Sequence, residues 1–433
     1  MTDTIFALSS GAVPSGVAII RLSGSLAFEI ASSVVGKLPL PRQGKLLDLV
    51  EPGSGNLIDR GLVLVFPGPA SFTGEDVVEF QCHGSRPVIS KLFDTLGGFE
   101  HCRMAEAGEF SRRAFENGKL DLTEIEGLSD LIAAETEAQR VLALRQSGGQ
   151  LRALYEGWRK DLIRSRALIE AELDFSDEED VPGGVSDQVW KMVLELSSAI
   201  EKHLDDDRNG EIVRDGFRIV LTGPPNAGKS SLLNALAKRD VAIVTPIAGT
   251  TRDAIDVNLD LDGMKVTVTD TAGMRQSDDM VEQEGIRRAT LAADQADLVL
   301  WLQTPGEPSD SLPPDNAIRV WTKSDLVQSE SINGTLTINT MDDDGLDTLM
   351  DFLHQQLKSV SKVNESPVVM RQRHRSALED CQKCLKLVVG SSDDIEIRSE
   401  YLRQAADHLG MITGRVDVED LLDVIFSEFC VGK

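Results

Sequence analysis

A chain of 433 residues and 47.1 kDa has room for about two to four packed domains. Its formal charge of −27 repels nucleic acid on average, so action on RNA would need a local basic patch or a partner, and five cysteines are too few, and odd in number, for a disulfide framework. No apolar run reaches the ~18 residues of a membrane span, and the first stretch lacks the basic residues of a secretory signal, so a cytoplasmic protein with no membrane partner is expected.

Val17–Leu22, Gly61–Phe66 and Asp76–Phe80 are short runs rich in β-branched residues, set among glycines and prolines, which predicts strands in a mixed α/β segment over residues 1–118. Beyond residue 119 glycine thins out. Leu151, Leu154, Trp158, Leu162 and Ile163 recur at helical spacing, as do Val189, Val193 and Leu196. Two or three long helices are predicted up to about residue 205, broken by the acidic stretch Asp174–Asp180 and Pro182-Gly183-Gly184. Arg218–Leu221, Lys265–Val268, Leu298–Leu302 and Ile318–Trp321 alternate with helix patterns, as in a doubly wound parallel sheet. Helical texture returns after about residue 366. The predicted fold class is α/β and all-α, multidomain. An α+β domain covers residues 1–118, and a helical domain of 119–212 and 366–433 receives an α/β insertion over 213–365.

The insertion carries the chemistry. Gly223-Pro224-Pro225-Asn226-Ala227-Gly228-Lys229-Ser230-Ser231 fits G-x-x-x-x-G-K-[ST] between a predicted strand and a predicted helix. Glycines let the loop turn its N–H groups toward phosphates, and the helix N-terminus adds positive potential. Lys229 then pairs with the β- and γ-phosphates and Ser230 ligates Mg²⁺. Asp270-Thr271-Ala272-Gly273 ends the next predicted strand, where the carboxylate reaches the Mg²⁺ shell and the Gly273 N–H the γ-phosphate. Thr322-Lys323-Ser324-Asp325 resembles the N-K-x-D box of GTPases with threonine in place of asparagine. Asp325 would accept the paired N–H donors of guanine, which adenine lacks; adenine is the alternative base. A later base-contacting S-A-K element has no clear match, the corresponding stretch reading Ile338-Asn339-Thr340.

Where Ras-like enzymes follow D-T-A-G with a water-orienting glutamine, this chain has Met274. Glu282 is a candidate for that task, its alternative being a solvated helix face. Asn226 offers a side-chain oxygen to a monovalent cation beside the phosphates. Thr251, in Gly249-Thr250-Thr251-Arg252-Asp253, completes a Mg²⁺ shell when GTP orders that loop.

The segments P-N-A-G-K-S-S, G-T-T-R-D, D-T-A-G-M-R, G-V-A-I-I-R-L-S-G near the start and the terminal F-C-V-G-K together resemble the MnmE (TrmE) family of tRNA modification GTPases, over essentially the whole chain. The resemblance implies homodimers joined through a folate-binding N-terminal domain, with an inserted P-loop G domain whose K⁺-dependent face-to-face association activates hydrolysis. It implies a heterotetramer with the FAD-dependent protein MnmG. It also implies modification of tRNA wobble uridine at C5 to aminomethyl or carboxymethylaminomethyl derivatives, with reduced folate (5-formyl- or methylene-tetrahydrofolate) supplying the one-carbon unit. Carried over by residue, Asn226 and Thr250 side chains with Thr245 and Ile247 carbonyls would hold K⁺. Ser230 and Thr251 would hold Mg²⁺, and Pro246, Ala248 and Gly249 would lie in the GTP-contacting loop. Glu282 would position water. Arg21, Glu79 and Lys119 would contact folate with Lys433 nearby, and Cys430 would bring a thiol to the modification site.

Taken alone, Arg21 is a surface arginine at a strand end, and Glu79 points into a cavity or to solvent. Its carboxylate suits the paired N–H donors of a pterin. Cys430 alone is an inert terminal thiol. Cys381 and Cys384 have no second pair for a zinc site, and their spacing suits helix packing. Arg371, Arg373, His374 and Arg375 form a candidate basic patch for tRNA. A ribosome-assembly GTPase without group-transfer chemistry and a folate-dependent transferase with a degenerate nucleotide domain are the competing possibilities.

Overall fold

The computed structural model describes residues 3–174, 185–205, 208–239, 241–243, 255–270, 292–305, 312–323, 336–339, 343–360, 368–390, 394–416, 422, 425–426 and 432. The chain divides into two compact units. One holds residues 1–129, 152–160 and 406–433, the other 130–151 and 161–405.

The first unit opens with β1 (Thr4–Leu8), β2 (Ser15–Ser23), α1 (Ala27–Val35), β3 (Lys45–Val50), β4 (Leu57–Phe66), β5 (Val77–Gly84), α2 (Arg86–Gly97), β6 (Cys102–Met104) and α3 (Glu109–Glu116). The six strands form one sheet in the order β3-β4-β5-β2-β1-β6. Period-two alternation decides which face each strand buries. Ala18, Ile20 and Leu22 on β2 and Val78, Phe80 and Cys82 on β5 enter a core with Ala27, Ile30, Ile89 and Leu92 of α1 and α2. The intervening residues, Arg21 and Glu79 among them, occupy the opposite face and stand directly across from each other in the antiparallel β2–β5 pair. Ser85 caps α2 by accepting a hydrogen bond from Val88 N.

Next come α4 (Leu122–Ala133), α5 (Glu137–Ser147), α6 (Gln150–Asp174), α7 (Val185–Leu204) and α8 (Asn209–Asp215). The stretch from 119 to about 205, where two or three long helices are predicted, thus contains four among the described residues, and α8 follows it. Thr136 and Gln139 start α5 with a reciprocal capping box. Leu151 and Leu162 of α6 and Val189 and Val193 of α7 are buried, as their spacing predicts, whereas Ile163 is exposed.

In the second unit β7 (Phe217–Thr222), α9 (Lys229–Ala237), β8 (Ile255–Leu261), β9 (Met264–Asp270), β10 (Leu298–Gln303), β11 (Ala317–Trp321), β12 (Leu336–Thr337) and α10 (Asp343–Val360) follow. Their sheet runs β12-β11-β10-β7-β9-β8. Five strands are parallel. The edge strand β8 is antiparallel to β9, a departure from the purely parallel expectation. A tight Asp262-Gly263 connection joins β8 to β9, and such a hairpin requires the antiparallel sense. β10 (LVLWLQ) is buried almost throughout, as a central parallel strand covered on both faces must be. Leu232, Leu233 and Leu236 of α9 and Leu349, Leu353 and Leu357 of α10 close the core.

The starting ends of β7 and β9 are neighbours, Phe217 facing Val266, and helical residues hold both. Gln139 Nε2 donates to the Arg214 carbonyl at 2.8 Å and Ala138 N to the Gly263 carbonyl at 3.1 Å, while Lys265 pairs with Glu135. The other ends of these two strands lead to the phosphate loop and to Asp270. The last helices are α11 (Gln372–Gly390) and α12 (Ile395–Thr413). Among the described residues, no helix is long and apolar enough to cross a membrane.

Candidate active site

β7 delivers the chain into the loop at Gly223, whose φ is +134°. A Cβ there would sit 2.1 Å from the Leu302 carbonyl oxygen, so only glycine allows the loop to leave the sheet beside β10. Asn226 follows in the left-handed region at φ 61°, with its side chain exposed, and Gly228 caps α9 at φ 90°. Lys229 is the first helical residue and is only 6% exposed. Its Nζ donates to the Gly223 and Pro224 carbonyls at 2.9 and 2.8 Å, so the ammonium lies folded into the loop.

β9 reads MKVTVTD and buries every second residue: Met264, Val266, Val268 and then Asp270. The strand's own alternation carries a carboxylate inward at its end, where it is 0% exposed. Ser230, in the first turn of α9, donates its hydroxyl to Asp270 Oδ2 at 2.6 Å. Two residues 40 positions apart thus meet at the helix N-terminus beside Lys229. Both oxygens are hard donors of the kind Mg²⁺ takes.

Thr322 follows β11 and is 1% exposed. Its hydroxyl donates to the Ala227 carbonyl at 2.8 Å, tying the end of β11 to the phosphate loop. Lys323 lies next at φ 54°. Of the expected nucleotide residues, Asn226, Ala227, Gly228, Lys229, Ser230, Ser231, Asp270, Thr322 and Lys323 are therefore gathered around one end of the sheet. Thr245, Pro246, Ile247, Ala248, Gly249, Thr250, Thr251, Thr271, Ala272, Gly273, Glu282 and Asp325 lie outside the described residues, as do Cys430 and Lys433.

A second cluster stands on the N-terminal sheet. Arg21 Nη2 and Glu79 Oε1 meet at 3.0 Å, and the guanidinium lies over the rings of Phe72 and Phe110 at 5.3 and 5.7 Å from their centroids. Loop 67–76 frames the pair. Ser23 donates to Glu75 at 2.8 Å, Asn117 donates to the Thr73 carbonyl at 2.7 Å, and Lys119 Nζ donates to the Pro69 carbonyl at 2.9 Å. Sequence reasoning passed over Arg113, which is buried between Glu75 and Glu109 at 3.1 and 2.9 Å. No local pattern marks it, because its partner Glu75 lies 38 residues away. Burial raises the Glu109 carboxyl, but the Arg103 hydrogen bond, the Glu106 N–H and Arg113 outweigh it and hold the group below the usual carboxylate range. The end of the chain reaches this domain: Ser9 Oγ donates to the Gly432 carbonyl at 2.8 Å, just beyond β1, whose Ala7 is paired with Arg21.

Two other expectations are decided by packing. Cys381 and Cys384 lie on α11, both buried, and burial pushes both thiols up, so they pack rather than react. The basic cluster is largely engaged within the fold. Arg371 binds Asp130 at 2.7 Å, Arg375 binds Glu211 at 3.1 Å, Arg373 meets His374 Nε2 at 3.0 Å, and His374 is fully buried. Arg371 and Arg375 thus have their charges paired with carboxylates of the same fold.

Comparison with known proteins agrees with this geometry. A family model described as the MnmE helical domain matches residues 122–430, and one described as the N-terminus of the GTP-binding protein TrmE matches residues 4–119. The tRNA modification GTPase MnmE of Rhizobium etli (strain CIAT 652) is 52% identical over 437 residues, covering 100% of this chain and 99% of that protein. That of Agrobacterium fabrum (strain C58 / ATCC 33970) is 52% identical over 439 residues, with the same coverage. Aquifex aeolicus Era bound to GDP and aluminium fluoride overlays 41% of this chain and 68% of that one at 18% identity and a TM-score of 0.25, too loose a match to add to the strand order. With both matched segments and full-length relatives in hand, the chain belongs to the MnmE (TrmE) family of tRNA modification GTPases.

Proposed function

We propose that the chain hydrolyses GTP as a cytoplasmic homodimer and, in a heterotetramer with the FAD-dependent protein MnmG, installs aminomethyl or carboxymethylaminomethyl groups at C5 of the wobble uridine of certain tRNAs. The observation that carries the nucleotide half is the meeting of Ser230 Oγ and Asp270 Oδ2 at 2.6 Å beside Lys229. A hydroxyl and a carboxylate there suit Mg²⁺, with Thr251 completing the set; the bound ion supplies charge neutralisation at the β- and γ-phosphate oxygens. Lys229 exchanges two neutral carbonyls for phosphate oxygens, a charge-assisted gain. The α9 N-terminus and loop N–H groups hold the β-phosphate as its oxygen leaves. Met274 has no hydrogen-bonding group for the attacking water, so Glu282 orients it toward phosphorus. Asn226 and Thr250 side chains with the Thr245 and Ile247 carbonyls would hold K⁺, which when bound would supply positive charge of the kind an arginine finger gives.

The Arg21–Glu79 pair, with Lys119 tied to the Pro69 carbonyl of the neighbouring loop, supports a folate site on the N-terminal domain, where reduced folate supplies a one-carbon unit. Gly432 hydrogen-bonded to Ser9 supports delivery of Cys430 and Lys433 to that region. Exposed Leu46 and Leu62, cross-strand partners on β3 and β4, together with exposed Val17 on β2, support a homodimer contact through the open sheet face. With Arg371 and Arg375 turned inward, the positive charge that meets tRNA comes from MnmG.

The test is the GTP hydrolysis rate in K⁺ and in Na⁺ at matched ionic strength, with Asn226→Ala beside the parent. Stimulation by K⁺ that disappears in the variant is expected. Equal rates in both salts would remove the cation from the mechanism.

A further inference from the structure

Thr322 departs from the asparagine of the N-K-x-D pattern, and its environment gives that departure a chemical meaning. Its Oγ1 lies 2.8 Å from the Ala227 carbonyl and 3.4 Å from the Gln303 carbonyl. Both neighbours are acceptors. A hydroxyl carries one proton, whereas an asparagine amide carries two. The side chain is almost wholly buried, and its backbone N–H is also committed, to the Gln303 carbonyl at 3.0 Å. The single side-chain proton at position 322 is therefore consumed by the phosphate loop.

We infer that Thr322 is a positioning residue for the phosphate loop and gives no hydrogen bond to the base. This rests on the nucleotide site proposed above. A guanine whose Watson–Crick edge is turned to a carboxylate keeps two acceptors on its other edge, O6 and N7. Position 322 serves neither. Discrimination against adenine is untouched, because it depends on the N1–H and N2–H donors. What the threonine removes is side-chain sensitivity to N7, an atom common to both purines.

The experiment measures Kd for GDP and for 7-deaza-GDP, which lacks the N7 acceptor, in the full-length parent, Thr322→Val, Thr322→Ser and Thr322→Asn, all with Mg²⁺. The ratio of the two constants is expected to be the same, within about twofold, in parent, Thr322→Val and Thr322→Ser. Thr322→Asn, with a second proton to give, raises the ratio about two- to tenfold, the worth of one neutral hydrogen bond. Thr322→Val weakens both ligands alike, since the Ala227 carbonyl loses its donor, and Thr322→Ser retains parental affinity. A ratio that is high in the parent and falls in Thr322→Val would overturn the inference, as would an unchanged ratio in Thr322→Asn. A parent that binds neither nucleotide would instead sink the nucleotide site itself, a distinguishable outcome.

Discussion

Asp121 shows how one carboxyl carries two opposed demands. Its Oδ1 caps α4, accepting from Glu124 N at 2.9 Å and Thr123 Oγ1 at 2.8 Å, while Glu124 returns a bond to Asp121 N. Burial nonetheless outweighs those hydrogen bonds and pushes Asp121 up to about 6. Between pH ~4 and pH ~6 the folded chain keeps a proton that the unfolded chain releases. Stability linked to this group therefore falls as pH rises through that window and is level above it. Asp121→Asn keeps the capping oxygen without the titration. Thermal unfolding of both proteins at pH 4.5 and 7.5 should show the parent losing ground to the variant by up to about 2 kcal/mol; a pH-independent difference would refute this. At this scale the nucleotide residues were legible in the sequence. Lys229, Ser230 and Asp270 sit in short motifs at the ends of β7 and β9, which are neighbours in one sheet. The inward turn of Arg371 and Arg375 was not legible, because Asp130 and Glu211 lie 241 and 164 residues away. Contact between Arg21 and Glu79, 58 residues apart, depends on a strand register that only the assembled sheet sets.

Among the elements, the strands bounded by glycines and prolines were predictable, and others were missed for different reasons. β1 (TIFAL) has no turn signal at its leading edge. β3 (KLLDLV) is an edge strand with its apolar residues divided between two faces, and Leu46 stays exposed. β8 (IDVNLDL) alternates apolar and polar residues perfectly, which is a strand signal carried by the sequence itself. Gly432 has φ +107°, and a Cβ there would lie 2.1 Å from the Leu8 carbonyl oxygen. Gly432→Ala therefore lifts the chain end off β1. GTP hydrolysis should remain near the parental rate while tRNA modification drops at least about tenfold, measured on wobble nucleosides from digested tRNA. Undiminished modification would show that this docking has no part in the chemistry.

At the scale of the whole molecule, a nucleotide site stands at one end of one six-stranded sheet, and a second cluster stands on the N-terminal sheet. The starting ends of β7 and β9 are held by Ala138 and Gln139 of α5 and by Glu135 just before it, and their far ends lead to the phosphate loop and carry Asp270. The alternation of helical and α/β texture was visible in the sequence because helix and strand periods differ. The antiparallel edge at β8 was legible too, since Asp262-Gly263 between two alternating runs is a hairpin signature, whereas the break between α4 and α5 carries no glycine or proline to mark it. The central claim is that Lys229, Ser230 and Asp270 form a GTP-hydrolysing centre, and Mg²⁺-dependent turnover of GTP and ATP by the parent and Asp270→Asn in K⁺ buffer tests it most directly. The parent should turn over GTP and leave ATP essentially untouched, and Asp270→Asn should lose at least about a hundredfold in rate while remaining folded. Equal turnover of ATP, or an Asp270→Asn variant as fast as the parent, would contradict it.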